Sequence, residues 1–212
     1  MKVLIDDKLQ EYTSEQISQW MAELPQWRRE KVEVIKHESG RRQSLLAYRL
    51  LCRGLREEYG ITEPPTFAYG EHGKPYIKIK NEKIKMKNET GPYFSLSHCR
   101  EAVACIIDEH PCGIDIESVG RKISNSLIRY AMNDEEQVAI SQAKDSIRTF
   151  LRLWTQKEAV LKLIGTGIRN TMKEVLVNCP YHIETRETNR YIISTATTAA
   201  PLTVSSSNKQ SR

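Results

Sequence analysis

The apolar positions of the chain fall into two successive blocks, each with helical spacing first and strand-like runs afterwards. In the first block, apolar residues recur every three or four positions over residues 14–24 and 41–59, which predicts two amphipathic helices. Gly60 follows the second helix and is placed to cap it. Shorter apolar runs then predict strands, at residues 67–69 and 76–79 and within the stretch 94–117.

The second block repeats this order of elements. Residues 133–144 and 147–163 have helical spacing, and Asn133 is placed to cap the first of these two helices. Three strand-like runs follow, at residues 175–178, 182–185 and 191–195. Because the two blocks have similar lengths and the same element order, they predict an α+β protein of two similar lobes.

The lobes are predicted to cover residues 1–108 and 109–200 and to meet near the stretch 94–117. Two polar segments fall outside the apolar pattern. The lysine-rich residues 80–91 are predicted to form a solvated loop, and residues 201–212 to form a flexible tail.

The composition is typical of a globular protein, with 39% hydrophobic and 28% charged residues in 212. No apolar run approaches the length of a membrane span, and the N-terminus lacks the uninterrupted apolar segment of a signal peptide. The five cysteines, an odd number without a C-x-x-C pair, argue against disulfides and a zinc site. These features predict a cytoplasmic protein without membrane contact. The formal net charge of +5 favours a polyanionic partner, which could be a nucleotide, a nucleic acid or an acidic protein.

Two carboxylates, Asp115 and Glu117, lie two positions apart on the predicted strand that ends the stretch 94–117. Side chains alternate along a strand, so both acids point to the same face. Neighbouring carboxylates repel each other unless a cation lies between them, and a hard divalent metal ion is the obvious candidate. The alternative is a solvated strand edge with incidental acids, because D-x-E is a common triplet.

A third acid, Glu158, lies on the apolar side of the helix predicted over residues 147–163. An ionised carboxylate is costly there unless a partner or a metal ion satisfies it. Lys157 is adjacent and Lys162 is one turn further along, so a surface Glu–Lys pair is the alternative. Taken together, the three carboxylates and nearby lysines make a reasonable Mg²⁺ site for a substrate that carries phosphates.

Other positions could contact an anion. The turn Gly73, Lys74 and Pro75 can present backbone N–H groups and a lysine, although it is also an ordinary turn sequence. Ser97 and His98 end an apolar run, where a histidine is more often packed or solvated than in contact with a ligand. Three basic residues could add phosphate contacts, although on a helix they are also ordinary solvent-facing charges: Lys31, Arg41 and Arg42.

Four motifs are specific through their order and spacing, although none is specific alone. They are GKP at 73–75, FSLSH at 94–98, GIDIE at 113–117 and WTQKEAVLKLIGTGI at 154–168. Together they resemble the 4′-phosphopantetheinyl transferases. The match is to the longer, pseudo-dimeric, surfactin-synthetase type rather than to the short trimeric holo-acyl-carrier-protein synthases.

The resemblance implies transfer of the phosphopantetheine arm of coenzyme A to a serine of an apo acyl or peptidyl carrier protein, with release of 3′,5′-ADP. It also implies that Asp115, Glu117 and Glu158 hold Mg²⁺, or alternatively Mn²⁺, against the coenzyme A pyrophosphate. Glu158, or a metal-bound water, would help to deprotonate the incoming serine. Lys162, and with it Lys157, would offset charge that develops on the departing phosphate.

The same resemblance implies several contacts to coenzyme A. His98, with Ser97 nearby, would contact the 3′-phosphate, and the turn Gly73, Lys74 and Pro75 would line the adenine nucleotide.

The first lobe would add a basic contact from Lys31 and one from an arginine. That arginine is Arg42 or its neighbour Arg41, and Gln43 lies near the expected place. The two lobes would be related by a pseudo-twofold axis with the active site in the cleft between them, so a monomer is expected.

Two other interpretations remain open. A metal-dependent nuclease could use Asp115, Glu117 and a lysine, and the positive charge would suit DNA, but no lysine lies two residues after Glu117. A non-catalytic module that binds coenzyme A or a nucleotide would leave Glu158 without a function. The transferase interpretation requires no nucleic acid partner.

Overall fold

The computed structural model of the chain describes residues 1–78, 91–167 and 172–198. Residues 80–90 of the predicted loop and the whole of the predicted tail 201–212 lie outside the described residues. Within the described ranges, none of the helices combines the length and the apolar content that crossing a membrane requires.

The described residues form a mixed fold of helices and small sheets. The helices are α1 (Ser14–Ala22), α2 (Gln26–Glu33), α3 (Glu38–Tyr59), α4 (Asn125–Ala131), α5 (Asp134–Gln142) and α6 (Ser146–Ile164), and a single 3-10 turn covers Met172–Glu174. The strands are β1 (Lys2–Asp6), β2 (Thr66–Tyr69), β3 (Pro75–Lys78), β4 (Tyr93–His98), β5 (Val103–Asp108), β6 (Cys112–Ser118), β7 (Tyr181–Glu187) and β8 (Tyr191–Thr198).

Two three-stranded antiparallel sheets and a separate hairpin contain these strands. The first sheet has the strand order β1-β5-β4, the second has the order β6-β8-β7, and β2 pairs with β3. In each three-stranded sheet the strand that comes last in the sequence lies in the middle. The long helix α3 packs on the first sheet and the long helix α6 packs on the second.

The two sheets meet where β4 lies beside β6, and serine side chains make the junction. Ser95 Oγ accepts a hydrogen bond from the backbone N–H of Ile114, and Ser97 Oγ accepts one from Ile116, each at 3.3 Å. Both pairs are separated by the same 19 positions, so the two strands run parallel at this junction. The junction therefore fixes β4 directly beside the strand that carries Asp115.

Two predicted helix ends, at Gly60 and Asn133, are confirmed by the backbone geometry, and Gly165 ends α6 as Gly60 ends α3. Gly60 follows α3 with a φ of 65° and Gly165 follows α6 with a φ of 83°, a left-handed conformation that glycine adopts without steric cost. At the start of α5, Asn133 and Glu136 form a reciprocal capping box. The ends were predictable because each depends on a few adjacent residues.

The strand predicted at residues 175–178 is wrong, because this segment is a turn. Val175 and Leu176 are partly buried against hydrophobic residues of α6 and β8, which explains the apolar character of the segment. Asn178 has a φ of 51°, which is left-handed rather than extended. The next strand, β7, begins only at Tyr181.

Gly113 allows α6 to approach β6 unusually closely. An ideal Cβ at this position would lie 2.0 Å from the carbonyl oxygen of Ala159 and 2.6 Å from the backbone nitrogen of Leu163. Both atoms belong to the helix backbone, so rotation of a side chain cannot relieve the clash. The glycine of the GIDIE motif therefore determines how near Glu158 and Lys162 come to β6.

We expect Gly113→Ala to push α6 away from β6 and to lower the free energy of unfolding by about 1–3 kcal/mol, as overpacking typically does. Urea unfolding followed by circular dichroism would measure the loss. Gly70→Ala is the matched control, because the nearest atom to a Cβ there lies at an ordinary 3.8 Å. Equal stability of the two variants would contradict this account of Gly113.

Candidate active site

Asp115 and Glu117 point from β6 toward α6, as the alternation predicts. Asp115 is only 5% exposed, whereas Ile114 and Ile116 are buried in an apolar cluster on the other side of the strand. Glu158 is brought to the same place by α6 and is 9% exposed. The three acids that the sequence singles out therefore face the same region between β6 and α6, where their charges influence one another.

Asp115 is held by a compact hydrogen-bond network through one of its oxygens. Ser97 Oγ donates to Asp115 Oδ1 at 2.8 Å, and Lys162 Nζ donates to the same oxygen at 2.7 Å. Lys162 Nζ also donates to Ser97 Oγ at 2.9 Å. The three side chains come from β4, β6 and α6, so the network depends on the packing of all three elements.

Glu117 is held from the opposite side. Trp154 Nε1 donates to Glu117 Oε1 at 3.1 Å, and Arg121 Nη1 donates to the same oxygen. The Arg121 guanidinium also lies over the Trp154 ring, 5.2 Å from its centroid. Glu117 is therefore fixed by an ion pair and an indole N–H together.

Two carboxylate oxygens at the centre of this cluster have no hydrogen-bond partner. These are Asp115 Oδ2 and Glu158 Oε1, both fully buried. Burial is the main cause that raises the pKa of Glu158 to about 7, and the charge of Asp115 is the next. The same two causes, in the same order, raise the pKa of Glu117 to about 7. The cluster thus contains more negative charge than Lys162 and Arg121 neutralise.

Unpartnered carboxylate oxygens and mutually repelling acids are what a hard divalent cation would satisfy. In the part of the chain that the structure describes, no three His, Cys, Asp or Glu side chains lie close enough together to hold a metal ion as they stand. The donor set nevertheless fits Mg²⁺ in its chemistry, because all its free atoms are carboxylate oxygens.

A cavity of about 270 Å³ opens beside the carboxylates. Glu158 and Lys162 line one side of it, and the turn Gly73, Lys74 and Pro75 lines another. The GKP motif and the helix motif therefore face one space, although they are far apart in the sequence.

Lys74 does not extend its ammonium group freely into this cavity. Lys74 Nζ donates to the carbonyl oxygen of Leu163 at 2.8 Å and to that of Cys112 at 3.4 Å. Burial lowers the pKa of Lys74. The lysine thus ties the β2–β3 hairpin to the C-terminal end of α6, where unpaired carbonyl groups accept its hydrogen bonds.

The remaining basic candidates lie in other surroundings. His98 ends β4, and its side chain is exposed. The pKa of His98 is lowered, first by partial desolvation of the ring and then by the positive charge of Lys162. Lys31 Nζ donates to the hydroxyl of Tyr69 at 2.6 Å. Arg42 Nη1 donates to the carbonyl oxygens of Leu9 and Tyr12, so this guanidinium links α3 to the segment that follows β1.

The side chain of Lys157 lies in the core and makes its hydrogen bonds away from Asp115, Glu117 and Glu158. Its side chain is fully buried, and Nζ donates to Glu136 Oε2 at 2.7 Å. The carbonyl oxygens of Ala131 and Met172 accept its other two hydrogen bonds, at 2.9 and 2.8 Å. Lys157 therefore joins α6 to α4, α5 and the 3-10 turn from within the core.

Sequence reasoning missed two features of the site. Arg121 follows the GIDIE motif by four residues, but outside a helix this spacing predicts no contact with Glu117. The resemblance places Ser97 only near the nucleotide, whereas its hydroxyl links Asp115 to Lys162.

Comparison with known proteins finds that the chain is similar to one family. Residues 111–210 match the family model of the 4′-phosphopantetheinyl transferase superfamily. The resemblance to this superfamily is confirmed. The matched segment contains Asp115, Glu117, Glu158 and Lys162, and the GKP and FSLSH motifs precede it.

Several curated 4′-phosphopantetheinyl transferases are similar to the chain. The transferase gsp of Aneurinibacillus migulanus is 32% identical over 129 residues, which cover 59% of this chain and 49% of the relative. The transferase Sfp of Bacillus subtilis (strain 168) is 26% identical over 159 residues, covering 74% and 66% respectively. AcpT of Salmonella typhi is 28% identical over 131 residues, covering 59% and 60%. The chain thus spans about half to two thirds of the length of these relatives.

Proposed function

We propose that this chain is a 4′-phosphopantetheinyl transferase, which transfers the phosphopantetheine arm of coenzyme A to a serine of an apo acyl or peptidyl carrier protein. The serine hydroxyl attacks the β-phosphate of coenzyme A, and 3′,5′-ADP leaves. The observation that carries this proposal is the cluster of Asp115, Glu117, Glu158 and Lys162 beside a cavity lined by the GKP turn. A superfamily match to the segment that contains these four side chains supports it.

Asp115, Glu117 and Glu158 would hold a divalent cation, Mg²⁺ or Mn²⁺. The two unpartnered buried oxygens, Asp115 Oδ2 and Glu158 Oε1, support this assignment, because a cation would satisfy both of them. When bound, the ion would supply positive charge against the pyrophosphate of coenzyme A.

The side chains of this chain perform the remaining chemistry in the proposal. Glu158 accepts the proton of the attacking serine, a role that suits a carboxylate on the wall of the cavity. Lys162 is fixed by Ser97 and Asp115, so its charge is already oriented before negative charge develops on the departing phosphate. Ser97 is in this proposal a positioning residue for Asp115 and Lys162.

Contacts to coenzyme A are assigned to residues around the cavity. The backbone of Gly73 and the ring of Pro75 line the adenine nucleotide, together with the aliphatic stem of Lys74. His98 contacts the 3′-phosphate from the end of β4. Lys31 adds a basic contact from the first lobe, where it already lies against Tyr69.

Arg42 is the weakest of the proposed coenzyme A contacts, because backbone carbonyl groups accept its hydrogen bonds. Arg41 is the alternative on the same helix, and its side chain is exposed.

We further propose that residues 1–108 and 109–200 are two lobes related by a pseudo-twofold axis. The matching strand orders, each with its last strand in the middle, support this symmetry. Ser97 comes from the first lobe, whereas Asp115 and Lys162 come from the second, so one chain supplies both sides of the cleft. A monomer is therefore sufficient for activity.

The partners follow from charge. Coenzyme A is a polyanion and carrier domains are usually acidic, which suits a chain with a formal net charge of +5. No nucleic acid or membrane takes part in the proposed reaction. All five cysteines are free thiols, which suits the reducing cytoplasm.

The proposal is tested by incubating the protein with coenzyme A, MgCl₂ and apo carrier proteins of fatty-acid, polyketide and nonribosomal peptide synthesis. We expect intact-protein mass spectrometry to detect the addition of one phosphopantetheine group to at least one carrier. A carrier whose acceptor serine is replaced by alanine is the control and should gain nothing. No mass gain on any carrier would refute the transferase proposal, and cleavage of DNA with the same metal ion would favour a nuclease.

A further inference from the structure

Arg121 occupies a position that the proposed reaction does not explain. It lies in the turn after β6, where its backbone N–H donates to the carbonyl oxygen of Ser118 at 3.1 Å. Its guanidinium is placed against two side chains of the carboxylate cluster, Glu117 and Trp154. Arg121 is about one third exposed and Glu117 about one fifth, so the pair is only partly accessible to water.

The three carboxylates are neutralised unequally. Lys162 donates to Asp115 and Arg121 donates to Glu117, whereas Glu158 Oε1 has no hydrogen-bond partner. Each of the two cationic side chains therefore contacts an acid that would also hold the divalent cation.

A divalent cation at this cluster would meet Arg121 at close range. Two like unit charges 4 Å apart repel each other by about 1 kcal/mol in water and by about 4 kcal/mol in the less polar surroundings near a protein surface. Glu117 Oε1 already accepts hydrogen bonds from Arg121 and Trp154, so a metal ion that used this oxygen would displace the guanidinium. The ion and Arg121 are therefore competitors for one carboxylate.

We propose that Arg121 is a positioning residue that holds Glu117 in the metal-free protein, competes with the divalent cation for this carboxylate and thereby sets the cation affinity. The inference rests on the proposed function, because it takes the three carboxylates to be the cation site. Trp154 keeps its hydrogen bond to Glu117 and loses the guanidinium from its ring when the cation binds, so its fluorescence reports the exchange.

Thermodynamic linkage fixes the direction of the expected effect. If the cation weakens the Arg121–Glu117 pair, the pair must weaken cation binding by the same factor. Removal of the guanidinium should therefore tighten binding by at least about fivefold, the lower end of typical coupling between sites. Because the pair is partly exposed, its loss should change stability little.

The test compares Arg121→Gln with the parent protein by isothermal titration with MnCl₂ and MgCl₂, without coenzyme A or carrier. We expect a dissociation constant at least about fivefold lower for Arg121→Gln and an intermediate value for Arg121→Lys, whose ammonium cannot form the same fork. Arg129→Gln on α4 is the matched control, because it removes the same charge from an exposed position, and it should leave the affinity unchanged.

Tryptophan fluorescence is followed in the same titrations. It should change in the parent, through Trp154, but not in Trp154→Phe. An affinity of Arg121→Gln equal to or weaker than that of the parent would overturn the competition. Absence of Mn²⁺ and Mg²⁺ binding in both proteins would overturn it as well. Either result is independent of carrier modification, which is measured by mass spectrometry, so failure of this inference is distinguishable from failure of the transferase proposal.

Discussion

Replacement of Glu158 by glutamine is expected to reduce the rate of phosphopantetheinyl transfer on the order of a thousandfold, within the range that loss of a general base produces. The variant removes both the proton acceptor and one carboxylate of the cation site. Glutamine has the same shape as glutamate and carries no charge, so the packing of α6 on β6 should persist. The initial rate of carrier modification at saturating coenzyme A measures the effect.

Stability separates a chemical role of Glu158 from a structural one. Because Glu158 Oε1 is buried without a partner, removal of its charge should leave the melting temperature unchanged or raise it. Glu135→Gln is the matched control, since it makes the same chemical change at an exposed position of α5. A Glu158→Gln variant that kept more than about a tenth of the parent rate would rule out both roles proposed for this acid.

The helices and the acids of the site were predictable because their signals are local. The helix predicted over residues 41–59 is observed as Glu38–Tyr59, and that predicted over 147–163 as Ser146–Ile164. Asp115 and Glu117 share a face of β6 because they are two positions apart on a strand. Each of these conclusions needs only the spacing of neighbouring residues.

The partners of the charged groups were not predictable, because they depend on packing between distant segments. Ser97 reaches Asp115 across 18 positions and Lys162 reaches it across 47. The four motifs indicated that these residues act together, but no local pattern states which atoms meet. The close approach at Gly113 is similar, because the sequence shows a glycine and only the packed helix shows why a Cβ is excluded.

Lys157 shows that adjacency in the sequence does not imply shared partners in space. Successive helical residues point in different directions, so a lysine adjacent to Glu158 does not face the same partners. The side chain instead enters the core between α6 and the elements that surround it. Its three acceptors explain how a fully buried lysine is tolerated.

Lys157→Met is expected to lower the free energy of unfolding by about 3–5 kcal/mol, the usual cost of removing one partner from a buried ion pair. The loss leaves Glu136 mostly buried without its cation and the carbonyl oxygens of Ala131 and Met172 without a donor. Chemical denaturation followed by circular dichroism measures it. Since domains of this kind are stable by only about 5–15 kcal/mol, part of the variant population could be unfolded at 37 °C.

Addition of Glu136→Gln to Lys157→Met provides the decisive comparison. Glutamine can still complete the capping box with Asn133, so the double variant removes the unpaired charge without removing the helix cap. We expect it to regain at least about 1 kcal/mol over Lys157→Met, as coupled neighbours do. The transfer rate per folded molecule should stay within about tenfold of the parent, because Lys157 does not reach the reacting atoms. If Lys157→Met folded stably but had lost transfer altogether, the ammonium group of Lys157 would instead take part in the transfer reaction.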